Sequence, residues 1–158
     1  MKRVWLCWMV CLVVAVGFLP TASRAQVVFT EMAPLSFGTI VITSFGPVTQ
    51  IVVSPQPIMP VYTGPVIPIT LASRAHYNMT GAPVSTSFTI SIYNINNALL
   101  GGNPPFTIDT FTTHPAVLAT DAGGSADFFF GARLRSAGGG APYGDGTYLG
   151  SYDFTINF

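Results

Sequence analysis

The hydrophobic positions that follow residue 25 repeat every two residues, which is the period of a β-strand. The segments with this period are rich in Thr, Val, Ile, Phe and Tyr, the residue types that a pleated sheet favours. They cover residues 35–43, 48–53, 66–71, 75–79, 87–94, 106–113, 126–135 and 148–158. None of them carries an apolar stripe at helical spacing. The sequence therefore predicts an all-β protein.

Two of these segments predict which side chains are buried. In residues 126–135 one parity holds Phe128, Phe130, Ala132 and Leu134, and the other holds Asp127, Phe129, Arg133 and Arg135. In the last segment the apolar parity holds Tyr148, Gly150, Tyr152, Phe154, Ile156 and Phe158. Since alternate side chains point to opposite faces of a sheet, we expect Phe128, Phe130, Tyr152, Phe154 and Ile156 to form the core.

Turn residues separate the segments and indicate how they are arranged. Clusters of Gly, Asn, Asp and Pro lie between them, and short strands with such spacing predict a two-sheet β-sandwich. Residues 54–68 hold five prolines. Proline has no N–H to donate to a sheet, so this stretch is predicted as an extended crossover or an edge covering and not as a central strand.

The first 25 residues have the three parts of a secretory signal peptide. Lys2 and Arg3 precede an apolar run that Pro20 ends, and small residues lead to a predicted cleavage between Ala25 and Gln26. A retained membrane anchor is the alternative. The apolar run is shorter than the roughly 20 residues that a membrane span needs, which favours cleavage. The predicted organisation is a signal peptide over residues 1–25, an N-terminal extension over 26–34 and a sandwich domain over 35–158. We expect export by the general secretory route.

Cleavage would remove both cysteines and leave three arginines against six acidic residues, a net charge of −3. The mature chain would then form no disulfide and would fold by burial alone. It would also lack the basic surface that a protein needs to bind nucleic acids or anionic lipids. We therefore expect no nucleic-acid partner and no membrane insertion once the signal has been removed.

Candidate chemistry is sparse. The two histidines, His76 and His114, accompany no nucleophile motif, and zinc ligands are not clustered. Asp121, Asp127 and Asp145 do not have the spacing of a calcium-binding EF-hand loop. The sequence predicts no catalytic residue, no cofactor and no metal site.

Four stretches together resemble a known family. LSFGTI, AHYNMTGAP, GGSADFFFGARL and DGTYLGSYDFTINF, between Leu35 and Phe158, resemble the bacterial secreted family called domain of unknown function 4402. That family looks related to the spore coat U domain and to pilins of the archaic chaperone–usher pathway. The resemblance implies an immunoglobulin-like sandwich that Gram-negative bacteria export to the periplasm, cell surface or medium. It also implies a non-enzymatic role as a structural or adhesive subunit of a fimbria or pilus.

Such pilins lack the final strand of the immunoglobulin pattern, and a periplasmic chaperone or a neighbouring subunit inserts a strand into the open groove. The resemblance thus implies a chaperone or subunit interface at Tyr148, Tyr152, Phe154, Ile156 and Phe158. It implies a donor strand with Val27, Phe29 and Ala33 on one side, although Glu31 interrupts that apolar parity.

Two alternatives stay open at this point. Residues 144–158 are either the wall of such a groove or the last strand of a complete sandwich. In the second case the protein would be a monomeric secreted carbohydrate- or protein-binding sandwich. Its contact surface would be Tyr143, Tyr148 and the glycine-rich loop, because aromatic rings offer stacking surface at low entropic cost.

Overall fold

A computed structural model describes residues 26–44, 46–96, 106–138 and 144–158, and the regular structure in these ranges is β-strand. The strands are β1 (Val28–Ala33), β2 (Thr39–Ile42), β3 (Gln50–Val53), β4 (Val61–Thr63), β5 (Val66–Thr70), β6 (Ala75–Thr80), β7 (Thr89–Asn96), β8 (Thr107–His114), β9 (Ala126–Arg135) and β10 (Ser151–Asn157). The all-β prediction is confirmed. No helix long and apolar enough to cross a membrane occurs in the described ranges.

The larger layer is a six-stranded antiparallel sheet built around β9. The strand order is β1-β6-β9-β3-β4, and β8 also pairs with β9. The first half of β9 pairs with β6 and the second half with β3, while β8 pairs with residues of both halves. Since Phe129 and Phe130 pair with β6 and β8 at once, those two strands lie on opposite edges of β9.

Gly131 lies where the partner of β9 changes from β6 to β3. A Cβ atom at this position would overlap the carbonyl oxygen of Val53 and would lie 2.6 Å from the nitrogen of Pro55. Glycine is therefore needed here because the end of β3 approaches the backbone of β9 too closely for a side chain.

The second layer consists of two small antiparallel sheets, β10–β7 and β2–β5, which cover different ends of the large sheet. Under β10–β7 lies a core cluster made of Ala75, Met79, Ala82, Phe88, Leu118, Phe128 and Phe130. Under β2–β5 lies a second cluster made of Ile51, Val53, Ala72, Phe106 and Leu134. The large sheet and the two small ones thus enclose the apolar residues in a β-sandwich, as predicted.

The predicted faces of the two clearest segments are confirmed. Phe128 and Phe130 are fully buried, and Phe129, Arg133 and Arg135 lie on the outer face. Tyr152, Phe154 and Ile156 are half-buried on the inner face of β10. Residues 148–150, which the alternation included in this strand, precede it.

The proline-rich stretch contains edge strands only. Within the described residues, β4 pairs with β3 alone and β5 pairs with β2 alone. The prediction that residues 54–68 form no central strand is confirmed. Most of the segment that the sequence assigns to an N-terminal extension forms β1, at the edge of the large sheet. The predicted signal peptide lies outside the described residues.

Candidate functional site

The sheet β10–β7 has only two strands in the described chain. Its two strands pair antiparallel from Ser151 opposite Asn96 to Asn157 opposite Thr89. In the part of the chain that the structure describes, neither strand has a second strand partner. Unpaired N–H and C=O groups at a strand edge are a template for pairing with another chain. This sheet therefore presents two edges at which a strand can be added.

An aromatic cluster lies directly beneath β10. The ring of Phe154 lies 5.2 Å from that of Tyr77, 5.3 Å from Phe130 and 6.0 Å from Phe128, measured between centroids. Phe128 and Phe130 are fully buried, whereas Phe154 is only half-buried. The cluster is therefore shielded from solvent on the side of the large sheet, and it is only partly shielded on the side of β10.

A cleft of about 710 Å³ opens beside β7. Its apolar lining consists of Ile90, Ile92, Ile95, Phe111 and Ala116, and its polar lining of Asp109, Thr110, Thr112 and Thr113. The apolar residues come mainly from β7 and β8, two strands that do not pair with each other. Because β7 and β8 belong to different sheets, the cleft lies where the two layers meet.

An ion pair between Asp109 and Arg133 lies at the rim of this cleft. The Nε and Nη2 atoms of Arg133 donate to the two carboxylate oxygens of Asp109 at 2.7 and 3.1 Å. These hydrogen bonds hold the pKa of Asp109 below its usual value. The register of β8 shifts immediately after Asp109, where Thr110 has a positive φ of 53°. The bulge lets Phe111 point inward, where its ring lies 4.9 Å from that of Tyr152.

The candidate donor residues lie on or beside β1. Val27 packs against the core cluster, and the Phe29 ring lies 5.9 Å from that of Phe154, while its side chain remains 44% exposed. Ala33 follows a register shift in the pairing of β1 with β6. In the described chain β6 is the only strand partner of β1, and five of the six residues of β1 are exposed.

Glu31 interrupts the apolar parity of β1, and its exposed carboxylate has a polar partner on β6. The hydroxyl of Tyr77 donates to Oε2 of Glu31 at 3.1 Å, and the hydroxyl of Tyr152 lies 3.4 Å from that of Tyr77. Burial raises the pKa of both tyrosines above the ordinary value. A carboxylate on β1 is thus hydrogen-bonded to the aromatic cluster, which the alternation alone did not indicate.

The other predicted interface residues are spread more widely. Tyr148 belongs to the second core cluster, where its ring packs 5.1 Å from that of Phe106 and its hydroxyl donates to the carbonyl of Gly144. Phe158 is 52% exposed, with its ring 6.0 Å from that of Phe88. Tyr152, Phe154 and Ile156 pack together on the first cluster. Gln26 is exposed, and Ala25 and Tyr143 lie outside the described residues.

A group of polar and aromatic side chains covers the outer face of the large sheet. The imidazole of His76 stacks 4.5 Å from the ring of Phe129, and the guanidinium carbon of Arg74 lies 3.8 Å from that ring's centroid. Nε2 of His76 lies 2.9 Å from Asp127, which also accepts a hydrogen bond from Asn78. These partners lower the pKa of Asp127. The group ties β6 to β9 from the outside.

Potential metal ligands are not gathered anywhere in the described ranges: no three His, Cys, Asp or Glu side chains form a group that could hold an ion. The candidate functional site is the open cleft together with the strand edges of the sheet β10–β7.

The family model for a domain of unknown function, DUF4402, matches residues 27–158. Neither the curated proteins nor the solved structures contain a match. Because the family match spans the whole described sandwich, from before β1 to the end of β10, the chain belongs to the DUF4402 family.

Proposed function

We propose that this protein is an exported, non-enzymatic surface subunit that assembles by strand addition, as a structural or adhesive component of a fimbria-like fibre. The observation that carries the proposal is the two-stranded sheet β10–β7, in which neither strand has a second strand partner in the described chain. An added strand would gain main-chain hydrogen bonds at such an edge and would cover half-buried apolar residues.

The proposal also specifies the properties that the partner strand must have. An incoming segment must be extended, and every second side chain must be apolar, because alternate residues would point into the sandwich. The cleft beside β7 supplies an apolar lining of Ile90, Ile92 and Phe111 for those side chains. We propose a periplasmic chaperone as the first donor and the N-terminal segment of a like subunit as the second.

The segment around β1 is the candidate donor within this chain. It is apolar at Val27 and Phe29, most of its residues are exposed, and it is held by pairing with β6 and by the contacts of Phe29 and Glu31. Segments with little burial open at low free-energy cost. Release of β1 from its own sheet and its addition to a neighbour would connect successive subunits.

Resemblance and sequence pattern support the same proposal. The motifs between Leu35 and Phe158 resemble those of the DUF4402 family, which looks related to archaic chaperone–usher pilins, and the first 25 residues have the pattern of a signal peptide. Both are expected of a subunit that leaves the cytoplasm before it assembles.

A peptide that spans residues 26–36 tests the proposal. Added to the mature chain at about a hundred times its Kd, the peptide should raise Tm by roughly 5–10 °C, because it binds the folded state alone. The matched control is the same peptide with Val27→Asn and Phe29→Asn, which keeps the backbone donors and removes the apolar side chains. The control should leave Tm unchanged.

Amide hydrogen exchange with the bound peptide locates the added strand. Slower exchange in β7 or β10 is the expected result. Protection confined to β6 would show that the peptide only replaces β1 in the large sheet, and it would overturn the proposal. An unchanged Tm with both peptides would do the same.

A further inference from the structure

The arginines that follow residue 25 are gathered on one surface of the molecule. The sequence after that residue contains three arginines, Arg74, Arg133 and Arg135, and no lysine. Arg133 and Arg135 lie on the outer face of β9, and the guanidinium of Arg74 lies over the ring of Phe129 on the same face. The outer face of the large sheet therefore holds all the Lys and Arg side chains of the predicted mature chain.

The acidic residues are distributed differently. Asp109 pairs with Arg133 and Asp127 with His76, so two of the six acidic residues after residue 25 belong to this face. The other four lie elsewhere: Glu31 contacts Tyr77, Asp121 and Asp145 lie between strands, and Asp153 lies on β10. Three arginines against two aspartates give the outer face a charge of +1, although the mature chain as a whole has −3. This segregation of charge favours an anionic ligand at the outer face.

Arg135 carries a charge that its neighbours do not neutralise. Both carboxylate oxygens of Asp109 already accept hydrogen bonds from Arg133, at 2.7 and 3.1 Å. Nη1 of Arg135 lies 3.9 Å from the same carboxylate, beyond hydrogen-bond distance, and the side chain of Arg135 is 44% exposed. Exposed contacts of this kind stabilise a protein little. Two guanidinium groups therefore share one carboxylate, and the donors of Arg135 remain for a ligand.

Polar side chains flank Arg135 in a row across the sheet. Gln50 of β3 and Thr107 of β8 lie directly opposite Arg135 on its two sides, and Thr63 of β4 lies opposite Gln50. Side chains that are directly opposite in a sheet point to the same face and lie about 5 Å apart. We call these four residues the Arg135 row. It presents one guanidinium, one amide and two hydroxyl groups on the outer face of four strands.

We propose that the Arg135 row binds an acidic polysaccharide. The planar fork of the Arg135 guanidinium matches a sugar carboxylate. The amide of Gln50 and the hydroxyls of Thr63 and Thr107 both donate and accept hydrogen bonds, as sugar hydroxyls do. This site lies on the opposite layer from the sheet β10–β7 and does not depend on strand addition.

The position of the row in the sheet favours a polysaccharide over other anionic polymers. A peptide that binds along a sheet takes main-chain hydrogen bonds from an unpaired strand edge. At Arg135 both neighbouring strands, β3 and β8, already pair with β9, so a ligand there meets side chains only. A nucleic acid needs a denser basic surface than three arginines of which one is already paired.

Arg74 favours a polymer over a single acidic sugar. In the described chain its guanidinium contacts the carbonyl of Pro55 and the ring of Phe129, and it forms no ion pair. Phe129 precedes Arg135 by six residues on β9, a distance of about 20 Å at roughly 3.3 Å per residue. A chain with repeated carboxylates can therefore meet both arginines along the direction of β9.

Calorimetric titration of the mature chain with polygalacturonate tests the proposal. We expect binding that weakens as salt is added, and no binding of the uncharged polysaccharide dextran. Arg135→Gln should raise Kd about tenfold or more, because hydrogen bonds to a charged group are lost. Thr107→Asp, which places a carboxylate opposite Arg135, should also raise Kd. The matched control is Thr89→Asp, which adds the same charge at an exposed position of β7 in the other layer. It should leave Kd unchanged.

Three results would overturn the proposal. The first is the absence of binding to polygalacturonate. The second is equal weakening by Thr107→Asp and Thr89→Asp, which would show an effect of net charge alone. The third is binding of polyglutamate as tightly as polygalacturonate, which would assign the row to acidic peptides. Arg135→Gln changes an exposed side chain far from β7 and β10, so the peptide from residues 26–36 should still raise the Tm of this variant. The two proposals can therefore fail separately.

Discussion

The side chain of Tyr77, on β6, contacts residues on three other strands of the sandwich. Its ring packs 5.7 Å from Phe128, 5.4 Å from Phe130 and 5.2 Å from Phe154, measured between centroids. Its hydroxyl donates to Glu31. The residue thus joins β6 to β1, β9 and β10 through aromatic packing and a hydrogen bond at the border between core and solvent.

Because the side chain of Tyr77 is partly buried, the stability of the protein should depend on pH in the alkaline range. Burial raises its pKa in the folded protein, whereas in the unfolded chain it ionises near the ordinary value of 10.0. Above pH 10 the unfolded chain therefore loses this proton first, and the free energy of unfolding should fall as pH rises. Below that pH the contribution of Tyr77 is fully present. Urea unfolding measured from pH 7 to 11 should show this fall.

The variant Tyr77→Phe isolates the contribution of the hydroxyl. At pH 7 it should lower the free energy of unfolding by about 1 kcal/mol, because the hydrogen bond to Glu31 is lost. Above pH 10 its stability should decline less steeply than that of the wild type, with Tyr152 responsible for part of the remaining slope. Identical slopes in the two proteins would show that Tyr77 ionises equally easily in both states.

At the scale of elements, β9 organises the molecule. It pairs with β6 and β3 along one edge and with β8 along the other, and its inner residues belong to both core clusters. The change of partner from β6 to β3 requires the chain after β3 to approach β9 at Gly131. Close packing at Gly131 therefore connects the part of the sandwich that holds the first core cluster with the part that holds the second.

Gly131→Ala should lower the free energy of unfolding by about 1–3 kcal/mol, since the added methyl group overlaps backbone atoms that belong to the sheet. The matched control is Gly146→Ala, where the methyl group would meet nothing within 4 Å. That change should alter stability by less than about 0.5 kcal/mol. Denaturant unfolding of both variants provides the comparison, and equal stabilities would mean that the end of β3 is free to move away.

At the scale of the whole molecule, the two layers are unequal. Six strands form one layer, while two separate two-stranded sheets form the other. The chain after residue 25 contains no cysteine, so burial must hold the two layers together. In the assembly proposed above, a strand added to the two-stranded sheet β10–β7 would bury additional apolar surface.

We predict that the protein is exported and that residues 1–25 are removed in the process. If residues 1–25 are a signal peptide, mass spectrometry of the protein from the native cell envelope should find a chain that begins at Gln26. A mutant with Ala25→Phe should accumulate as the precursor, because signal peptidase needs a small residue there. Recovery of a wild-type chain that still contains Met1, embedded in the inner membrane, would contradict this.

The sequence by itself determined most of the strands and their faces. Alternation is a local property, because neighbouring side chains in an extended chain must point in opposite directions. The buried parity of residues 126–135 and of β10 could therefore be predicted without knowing any partner strand. For the same reason the alternation predicts that Tyr152, Phe154 and Ile156 face the core.

Only the tertiary structure decided which strands pair and where the sandwich is open. Pairing joins residues far apart in the chain, such as Val52 with Arg133, and no local pattern specifies that choice. The cleft beside β7 and the bond from Tyr77 to Glu31 depend on such pairings, so neither could be predicted from the alternation. Local sterics and burial set the faces of each strand, but long-range pairing sets its neighbours and therefore its unpaired edges.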